Sequence, residues 1–243
     1  MSEEQVQPTI LLVMVDRETS SVVFARSDGK EVRFPLKSFR FADTSVLSRL
    51  YYSPAAGSLL SVTRADDDIF FEMPKQGGIT QLAGRLVVYL DQNQWSVVAK
   101  ARHDPARVGD KDREAARQLA ELVQQQKIIL PASAGHHYET TKKYDTGTRY
   151  HLGLTILQLS RGWQMRDPLQ VRRNELYNVF RYRYADGTAV RDSPVFTLNP
   201  NVIHGPWRDE KGYVPPQNLS PDAMFNHEAL TFATALIDAM LDT

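Results

Sequence analysis

The chain has 243 residues, equal numbers of basic and acidic residues and a hydrophobic content of 42%, which fits one large globular domain or two small ones. It contains no cysteine, so a disulfide scaffold, a thiolate zinc site and a cysteine nucleophile are excluded. No apolar run approaches the roughly 20 residues that span a bilayer, and the polar start from Met1 to Pro8 is unlike a signal peptide. We therefore expect a cytoplasmic protein without a membrane segment.

Charge is unevenly distributed along the chain. Lys and Arg outnumber Asp and Glu between residues 85 and 183, whereas acidic residues predominate on either side. An electropositive middle favours a polyanionic partner such as nucleic acid. The alternative is that arginine-rich helices only present a charged face to water.

Residues 1–78 are predicted to form a small β-rich module, because short apolar runs alternate there with turn residues. The acidic stretch 66–68 is interpreted as the solvated tip of a hairpin, with cation binding as the alternative. The breaker cluster 74–78 predicts a boundary to a second domain, 79–243. The predicted strands cover Ile10–Val15, Ser21–Ala25, Val32–Leu36, Ser58–Thr63 and Ile69–Glu72.

The second domain opens with a strand–helix–strand pattern. Residues 85–90 form a run rich in β-branched and aromatic side chains, which is typical of a buried parallel strand. An amphipathic pattern over 112–126 predicts a helix, and 127–131 predicts a second short buried strand. A βαβ unit pairs its strands in parallel through a right-handed crossover, so we expect a parallel sheet here.

Acidic side chains follow both of these strands. Asp91 comes directly after the first strand, and Glu139 lies about a turn and a half into a helix that Ser133 is expected to cap. The carboxyl ends of parallel strands are where ligands bind in open α/β sheets. Two carboxylates brought together there favour a hard cation such as Mg²⁺ or Mn²⁺ between them. The alternative for Asp91 is that it only caps the following helix.

These motifs resemble those of the PIN-like nucleases, a superfamily that contains many toxin-type ribonucleases. The stretch Leu90-Asp91-Gln92-Asn93 is similar to the Asp-x-Asn/Ser pattern at the end of the family's first strand. Ser133, His136 and Glu139 resemble the Ser-x-x-His-x-x-Glu form of the larger bacterial toxin and defence proteins. The likeness covers roughly residues 86–167.

The resemblance implies a three-layer α/β/α sandwich on a parallel sheet, preceded here by the β-rich module, and hydrolysis of RNA phosphodiesters with Mg²⁺ or Mn²⁺. It implies that Asp91 and Glu139 are catalytic metal ligands. It extends to residues 222–240, where Glu228 begins a stretch similar to the family's Asp-Ala-x-x-x-Ala-Thr-Ala and is favoured as the third acid over Asp222. Residues that would orient these ligands or a bound water are Asn93, Ser133 and His136.

An insertion-like stretch from about 161 to 216 mixes arginines with aromatic residues. This mixture suits single-stranded RNA, because arginines contact phosphates and aromatic rings stack on bases. The alternative is that the aromatic residues belong to the core and the arginines cover it. The predicted nucleic-acid-binding residues are Arg149, Arg161, Arg166, Arg172 and Arg173.

The sequence therefore predicts a PIN-like endoribonuclease, and the resemblance further implies a role as a toxin or phage-defence effector. An antitoxin or defence-system protein and a second copy of the chain are the expected protein partners. The alternative is a PIN-like module with a degenerate acid cluster that binds nucleic acid or protein. Another metal-dependent phosphohydrolase is a third reading, against which Asp91 lacks the second aspartate two residues later that haloacid-dehalogenase-type phosphatases use.

Overall fold

The computed structural model describes residues 8–35, 46–73, 82, 84–184 and 194–198, together with 233, 234, 236–238, 240 and 241. Within these residues the chain forms a large antiparallel sheet, a group of helices and several short strand pairings. The helical part carries most of the residues that the sequence singles out for function.

The large sheet has six strands in the order β3-β2-β1-β4-β5-β6, and every pairing in it is antiparallel. Short turns join the strands within β1–β3 and within β4–β6, and turns of this length permit only antiparallel neighbours. Two three-stranded meanders therefore meet where β1 pairs with β4, with Val13 opposite Tyr52. The strands are β1 (Ile10–Asp16), β2 (Ser21–Arg26), β3 (Glu31–Pro35), β4 (Leu47–Ser53), β5 (Ser58–Thr63) and β6 (Asp68–Glu72).

Five of these six strands confirm the predictions, and β4 is the one that the sequence analysis missed. Leu50 and Tyr52 of β4 are buried, while Arg49 and Tyr51 between them are half-buried. The alternation is thus present, but Arg49 and the flanking serines weaken its hydrophobic contrast. The missed strand is central to the sheet, because it supplies the pairing that joins the two meanders.

The predicted three-layer α/β/α sandwich on a parallel sheet is wrong, because the main sheet is antiparallel. Within the described residues, parallel pairing is limited to β7 (Leu86–Val87) with β8 (Ile128–Ile129) and to a bridge between Ala132 and Gln164. Strands that follow one another through short turns pair with each other first, so residues 10–72 build a sheet of their own. The strand–helix–strand unit is confirmed, and the chain is therefore α/β only in part.

Side-chain caps fix where three of the helices begin. Helix α1 (Gln92–His103) starts at Asp91, and α3 (Ala134–Thr141) starts at Ser133. Helix α4 (Thr146–Ser160) starts at Asp145, whose carboxylate accepts a hydrogen bond from the backbone of Thr148 at 2.6 Å. The amphipathic helix expected over 112–126 is α2 (Asp110–Gln124). The other elements are a 3-10 helix (Pro105–Arg107), β9 (Gln164–Met165), α5 (Pro168–Tyr184) and β10 (Phe196–Thr197).

Helix α4 lies at the centre of the hydrophobic core. Its residues from Leu152 to Leu157 are all buried, as expected of a helix that is covered on every side. Trp95 of α1 and Phe71 of β6 belong to the same cluster of buried side chains, so the sheet and the helices share one core. Gly153 allows the C-terminal helical residues to approach α4 closely, since a Cβ atom there would lie 2.7 Å from the carbonyl oxygen of Met240.

Glu72, at the end of β6, provides a polar link between the sheet and the helical part. Arg85 donates one hydrogen bond to each of its carboxylate oxygens at 2.9 Å, and Trp163 Nε1 donates another at 3.1 Å. The Arg161 guanidinium lies 3.7 Å from Glu72. The expected boundary at 74–78 falls outside the described residues, so the division into 1–78 and 79–243 stays a prediction.

Candidate functional site at the ends of the parallel strands

Asp91 lies at the amino terminus of α1, four residues after β7, with its side chain exposed. Its Oδ1 accepts a hydrogen bond from the backbone nitrogen of Gln94 at 2.8 Å, and Gln94 Oε1 accepts one from the backbone nitrogen of Asp91 at 2.8 Å. This reciprocal capping box shows that Asp91 caps the helix. A carboxylate has two oxygens and about four acceptor positions, so the cap leaves Asp91 able to accept further hydrogen bonds or to bind a cation.

Ser133 and His136 form a second reciprocal cap, at the start of α3. The Ser133 hydroxyl accepts from the backbone nitrogen of His136 at 3.3 Å, and His136 Nδ1 accepts from the backbone nitrogen of Ser133 at 3.1 Å. Because Nδ1 is an acceptor in this geometry, the neutral ring carries its proton on Nε2. The expected capping role of Ser133 is therefore confirmed, and His136 has a structural role of its own.

His136 is buried between aromatic rings. Tyr89 stacks on its ring with the centroids 5.4 Å apart, and Trp95 meets it edge-on at 6.1 Å. Burial lowers the pKa of His136 below its usual range, while the Leu90 carbonyl and the carboxylates of Glu139 and Asp91 act in the opposite direction. The carboxylates of Asp91 and Glu139 are both exposed to solvent.

A side-chain contact joins the two helices that carry these acids. Gln92 Nε2 donates a hydrogen bond to the hydroxyl of buried Thr140 at 3.1 Å. Gln92 immediately follows Asp91 and Thr140 immediately follows Glu139, so this bond fixes the amino end of α1 against the carboxyl end of α3. Asn93, expected to orient the Asp91 carboxylate, is exposed, and the bonds described for Asp91 run to Gln94 instead.

Asp91 and Glu139 are the two predicted metal ligands that lie within the described residues. Among the residues that the structure describes, no group of three or more His, Asp or Glu side chains is placed to hold a metal ion. Glu228 and Asp222, the candidates for the third acid, lie outside the described residues. Asp91 and Glu139 supply the hard oxygen ligands that Mg²⁺ and Mn²⁺ prefer, but by themselves they do not complete such a site.

The five predicted nucleic-acid-binding arginines lie in two different environments. Arg161 donates to the carbonyl of Val123 at 3.3 Å and packs over the ring of Phe70, and Arg166 is only 8% exposed. Both are therefore held within the protein, and Arg149 is half-buried. By contrast, Arg172 and Arg173 are exposed on α5.

Helix α5 also carries exposed aromatic side chains. Tyr182 is 87% exposed and Phe180 59% exposed, so in this helix the aromatic residues after Asn174 do not form the core. Arg183 lies beside Tyr184, with its guanidinium carbon 5.7 Å from the ring centroid. The exposed arginine and aromatic side chains of α5 are thus available for contact with a partner.

Sequence reasoning missed the residues that hold the two acids in place. Gln94 completes a capping box three residues after Asp91, and this Asp-x-x-Gln spacing is a readable signal. The bond from Gln92 to Thr140 had no such signal, because its partners are 48 residues apart in the chain. The stacking of Tyr89 on His136 likewise depends on the pairing of β7 with β8.

No family model, curated protein or solved structure matches this chain. None of the helices that the structure describes combines the length and apolar character needed to cross a bilayer.

Proposed function

We propose that this protein binds RNA and cleaves its phosphodiester bonds at a site that contains Asp91 and Glu139. The observation that carries the proposal is the hydrogen bond from Gln92 to Thr140, which joins the two helices at the residues next to Asp91 and Glu139. Two exposed carboxylates near the carboxyl ends of parallel strands suit an open catalytic site. The capping boxes around them keep their backbone positions fixed.

Each acid can take part in phosphodiester cleavage in a specific way. A carboxylate within reach of the attacking hydroxyl or water accepts its proton as a general base, a contribution of about 10²- to 10⁴-fold. Both Asp91 and Glu139 are exposed to solvent and thus accessible to a substrate. His136 is buried and uncharged at neutral pH, so its role is to hold α3 and to separate the two acids from the core.

The requirement for Mg²⁺ or Mn²⁺ belongs to the same proposal. It would need a third acid beside Asp91 and Glu139, and the candidates from the sequence are Glu228 and Asp222. We derive no catalytic step through the ion, because the described residues do not complete its site. A role as a toxin or defence effector, with an antitoxin as partner, rests only on the sequence resemblance and stays a prediction.

The RNA-binding part of the proposal is supported by α5. Its exposed arginines can contact phosphates, and its exposed tyrosine and phenylalanine rings can stack on unpaired bases. This surface favours single-stranded RNA, since bases within a duplex are not free to stack on side chains. The second candidate function, RNA binding without cleavage, is favoured by the finding of only two acids at the described site.

A cleavage assay with labelled single-stranded RNA distinguishes these functions. Wild-type protein is incubated with Mn²⁺, with Mg²⁺ and with chelator, alongside Asp91→Asn, Glu139→Gln and the control Glu31→Gln. Glu31 is an exposed acid on β3, an edge strand of the large sheet. We expect the two site variants to lose cleavage by about 10²-fold or more, and Glu31→Gln to retain it.

The other outcomes are equally informative. RNA binding with no cleavage in any of the three conditions would support the second candidate function. Cleavage that persists in both Asp91→Asn and Glu139→Gln would place the active site elsewhere. A protein that neither binds nor cleaves RNA would overturn both functions. Glu228→Gln and Asp222→Asn, assayed in the same way, identify the third acid.

A further inference from the structure

A second concave region lies between α1 and α4, separate from the site around His136. It is a cleft of about 210 Å³, bounded by the second half of α1, the segment after it, the segment between α3 and α4, and the first turns of α4. Its charged and titratable lining residues are Lys100, Arg107, Lys143, Asp104, His103 and His151.

The lining of the cleft is predominantly cationic. Lys100 and Lys143 are exposed and approach the cleft from different elements. Asp104 is the acid in the lining, and it is paired with Arg107, whose Nε lies 3.1 Å from Asp104 Oδ2. The charge of Asp104 is therefore balanced within the lining, and the two lysines remain to attract an anion.

Two histidines form part of the same wall. The rings of His103 and His151 are parallel, with the centroids 4.3 Å apart. Thr155 donates its hydroxyl hydrogen to the carbonyl of His151 at 2.7 Å, so it can only accept from His103 Nε2, which lies 3.2 Å away. In the neutral ring of His103 the proton is therefore on Nε2, and Nδ1 is free to take up a second proton.

Protonation of His103 would add positive charge to the cleft. Burial lowers the pKa of His103, as do His151 and Arg102, while Asp67 on the β5–β6 turn acts in the opposite direction. His151 also faces Asp145 at the start of α4. At neutral pH His103 is thus uncharged, and an anion bound in the cleft would favour its protonation as the pH falls.

The cleft shares helix α1 with the proposed RNA-cleaving site. Ser96, which lines the cleft, donates to the carbonyl of Gln92, and Gln92 bonds Thr140 next to Glu139. From Gln92 to Lys100 the axis of α1 rises by about 12 Å. A single strand of RNA that passes the two acids can therefore place another of its phosphates in the cleft.

We propose that the cleft between α1 and α4 binds a backbone phosphate of single-stranded RNA, in contact with Lys100 and Lys143 and beside the His103–His151 pair. The proposal rests on the proposed RNA substrate but not on its cleavage. The cleft thus positions the strand relative to Asp91 and Glu139.

The test measures binding of a fluorescein-labelled single-stranded RNA oligonucleotide by anisotropy, in chelator, over a series of KCl concentrations. We expect Lys100→Gln and Lys143→Gln each to weaken binding and to reduce the slope of log K against log salt by roughly 0.7, the value for one lost phosphate contact on a single strand. The matched control is Lys30→Gln, in the turn between β2 and β3, toward the opposite edge of the sheet from β6. It is expected to leave the slope unchanged.

A second arm uses pH. Wild-type affinity is expected to rise between pH 7.5 and pH 5.5, because protonation of His103 adds attraction and RNA phosphodiesters do not titrate in this range. His103→Gln is expected to remove most of this rise. Inorganic phosphate at millimolar concentrations is added as a competitor. If RNA is the ligand of the cleft, it stays bound, because the strand makes several other contacts with the protein.

Slopes that are the same for both lysine variants and Lys30→Gln, or a pH dependence that persists in His103→Gln, would overturn the proposal. Complete displacement of RNA by inorganic phosphate would assign the cleft to a free phosphate compound instead. Because binding is measured in chelator, this proposal can be separated from the proposed function. If wild-type protein does not cleave RNA with either metal but the lysine effects are present, the phosphate site stands and the nuclease does not.

Discussion

The two terminal guanidinium nitrogens of Arg85 each donate a hydrogen bond to one carboxylate oxygen of Glu72, at 2.9 Å. The Arg85 side chain is 12% exposed and the Glu72 side chain 17%. The pair joins the last strand of the large sheet to the residue that precedes β7. Its shielding from water distinguishes it from the exposed ion pairs on α2, such as Arg117 with Glu114. It therefore offers a direct test of how strongly the sheet and the helical part are coupled.

We predict that Arg85→Met lowers the free energy of unfolding by about 3 kcal/mol, because it leaves the largely shielded Glu72 carboxylate without its main partner. Arg117→Met, which removes a pair with the same chemistry on the surface, is expected to change stability little. The measurement is urea unfolding followed by tryptophan fluorescence. Equal effects of the two substitutions would show that the Glu72 pair is not a stabilising link.

Asp91 combines a capping role with the proposed catalytic role, and two substitutions separate them. Asn caps a helix as well as Asp does, whereas Ala does not. We predict that Asp91→Ala lowers the free energy of unfolding by about 1 kcal/mol and that Asp91→Asn leaves it nearly unchanged. Both variants are expected to lose RNA cleavage. If Asp91→Asn retains full cleavage, Asp91 is only a cap.

Gly153 is predicted to be intolerant of even a methyl group. A Cβ atom there would lie 2.7 Å from the Met240 carbonyl oxygen and 3.2 Å from Leu241, so Gly153→Ala is expected to cost about 1 to 3 kcal/mol of stability. The control is Gly147→Ala in the first turn of α4, where the nearest atom is 3.7 Å away. Because Ala has a higher helix propensity than Gly, Gly147→Ala should stabilise the protein by up to about 1 kcal/mol. Thermal unfolding of both variants measures the difference.

His136 is predicted to make stability depend on pH. Since burial lowers its pKa in the folded protein, the unfolded chain takes up a proton near pH 6.5 while the folded protein resists it. Stability therefore falls as the pH drops below about 6.5, until the pKa of the folded state is passed. Half-buried His103 contributes with the same sign, so the effect of His136 is isolated by comparing the wild-type protein with a variant that changes position 136 alone.

The variant is His136→Gln, because Gln94 already makes the same reciprocal cap in α1. It retains a hydrogen-bonding side chain at this position and removes the titration. Unfolding free energies measured from pH 7.5 to pH 5 should fall less steeply for the variant than for wild type. Parallel curves would mean that His136 is not held neutral by burial.

Several features of the site could be read from the sequence because they depend on neighbours along the chain. The Ser133 cap, the Asp91 cap left open as the alternative reading, and the amphipathic pattern of α2 depend on contacts between residues three or four positions apart. The parallel pairing of β7 with β8 follows from the strand–helix–strand order. The same local rules predicted five strands of the large sheet, but not that they would form the main sheet of the protein.

Other features depended on contacts between distant segments. Arg161 was expected to bind RNA, but Phe70 and Glu72 hold it within the protein, some ninety residues away along the chain. His103 and His151 had no recognisable relation until α1 packed against α4. The aromatic residues of α5 could equally have been core, and only their exposure decided between the two interpretations.

The sequence by itself determined the helix caps, the βαβ unit and the positions of most strands, since short-range hydrogen bonds and hydrophobic periodicity are set by adjacent turns of the chain. Only the tertiary structure decided that the main sheet is antiparallel, that Gln92 and Thr140 join the helices carrying Asp91 and Glu139, and that a cationic cleft lies between α1 and α4. These features depend on which apolar surfaces pack together, and that packing involves segments that are far apart in the sequence.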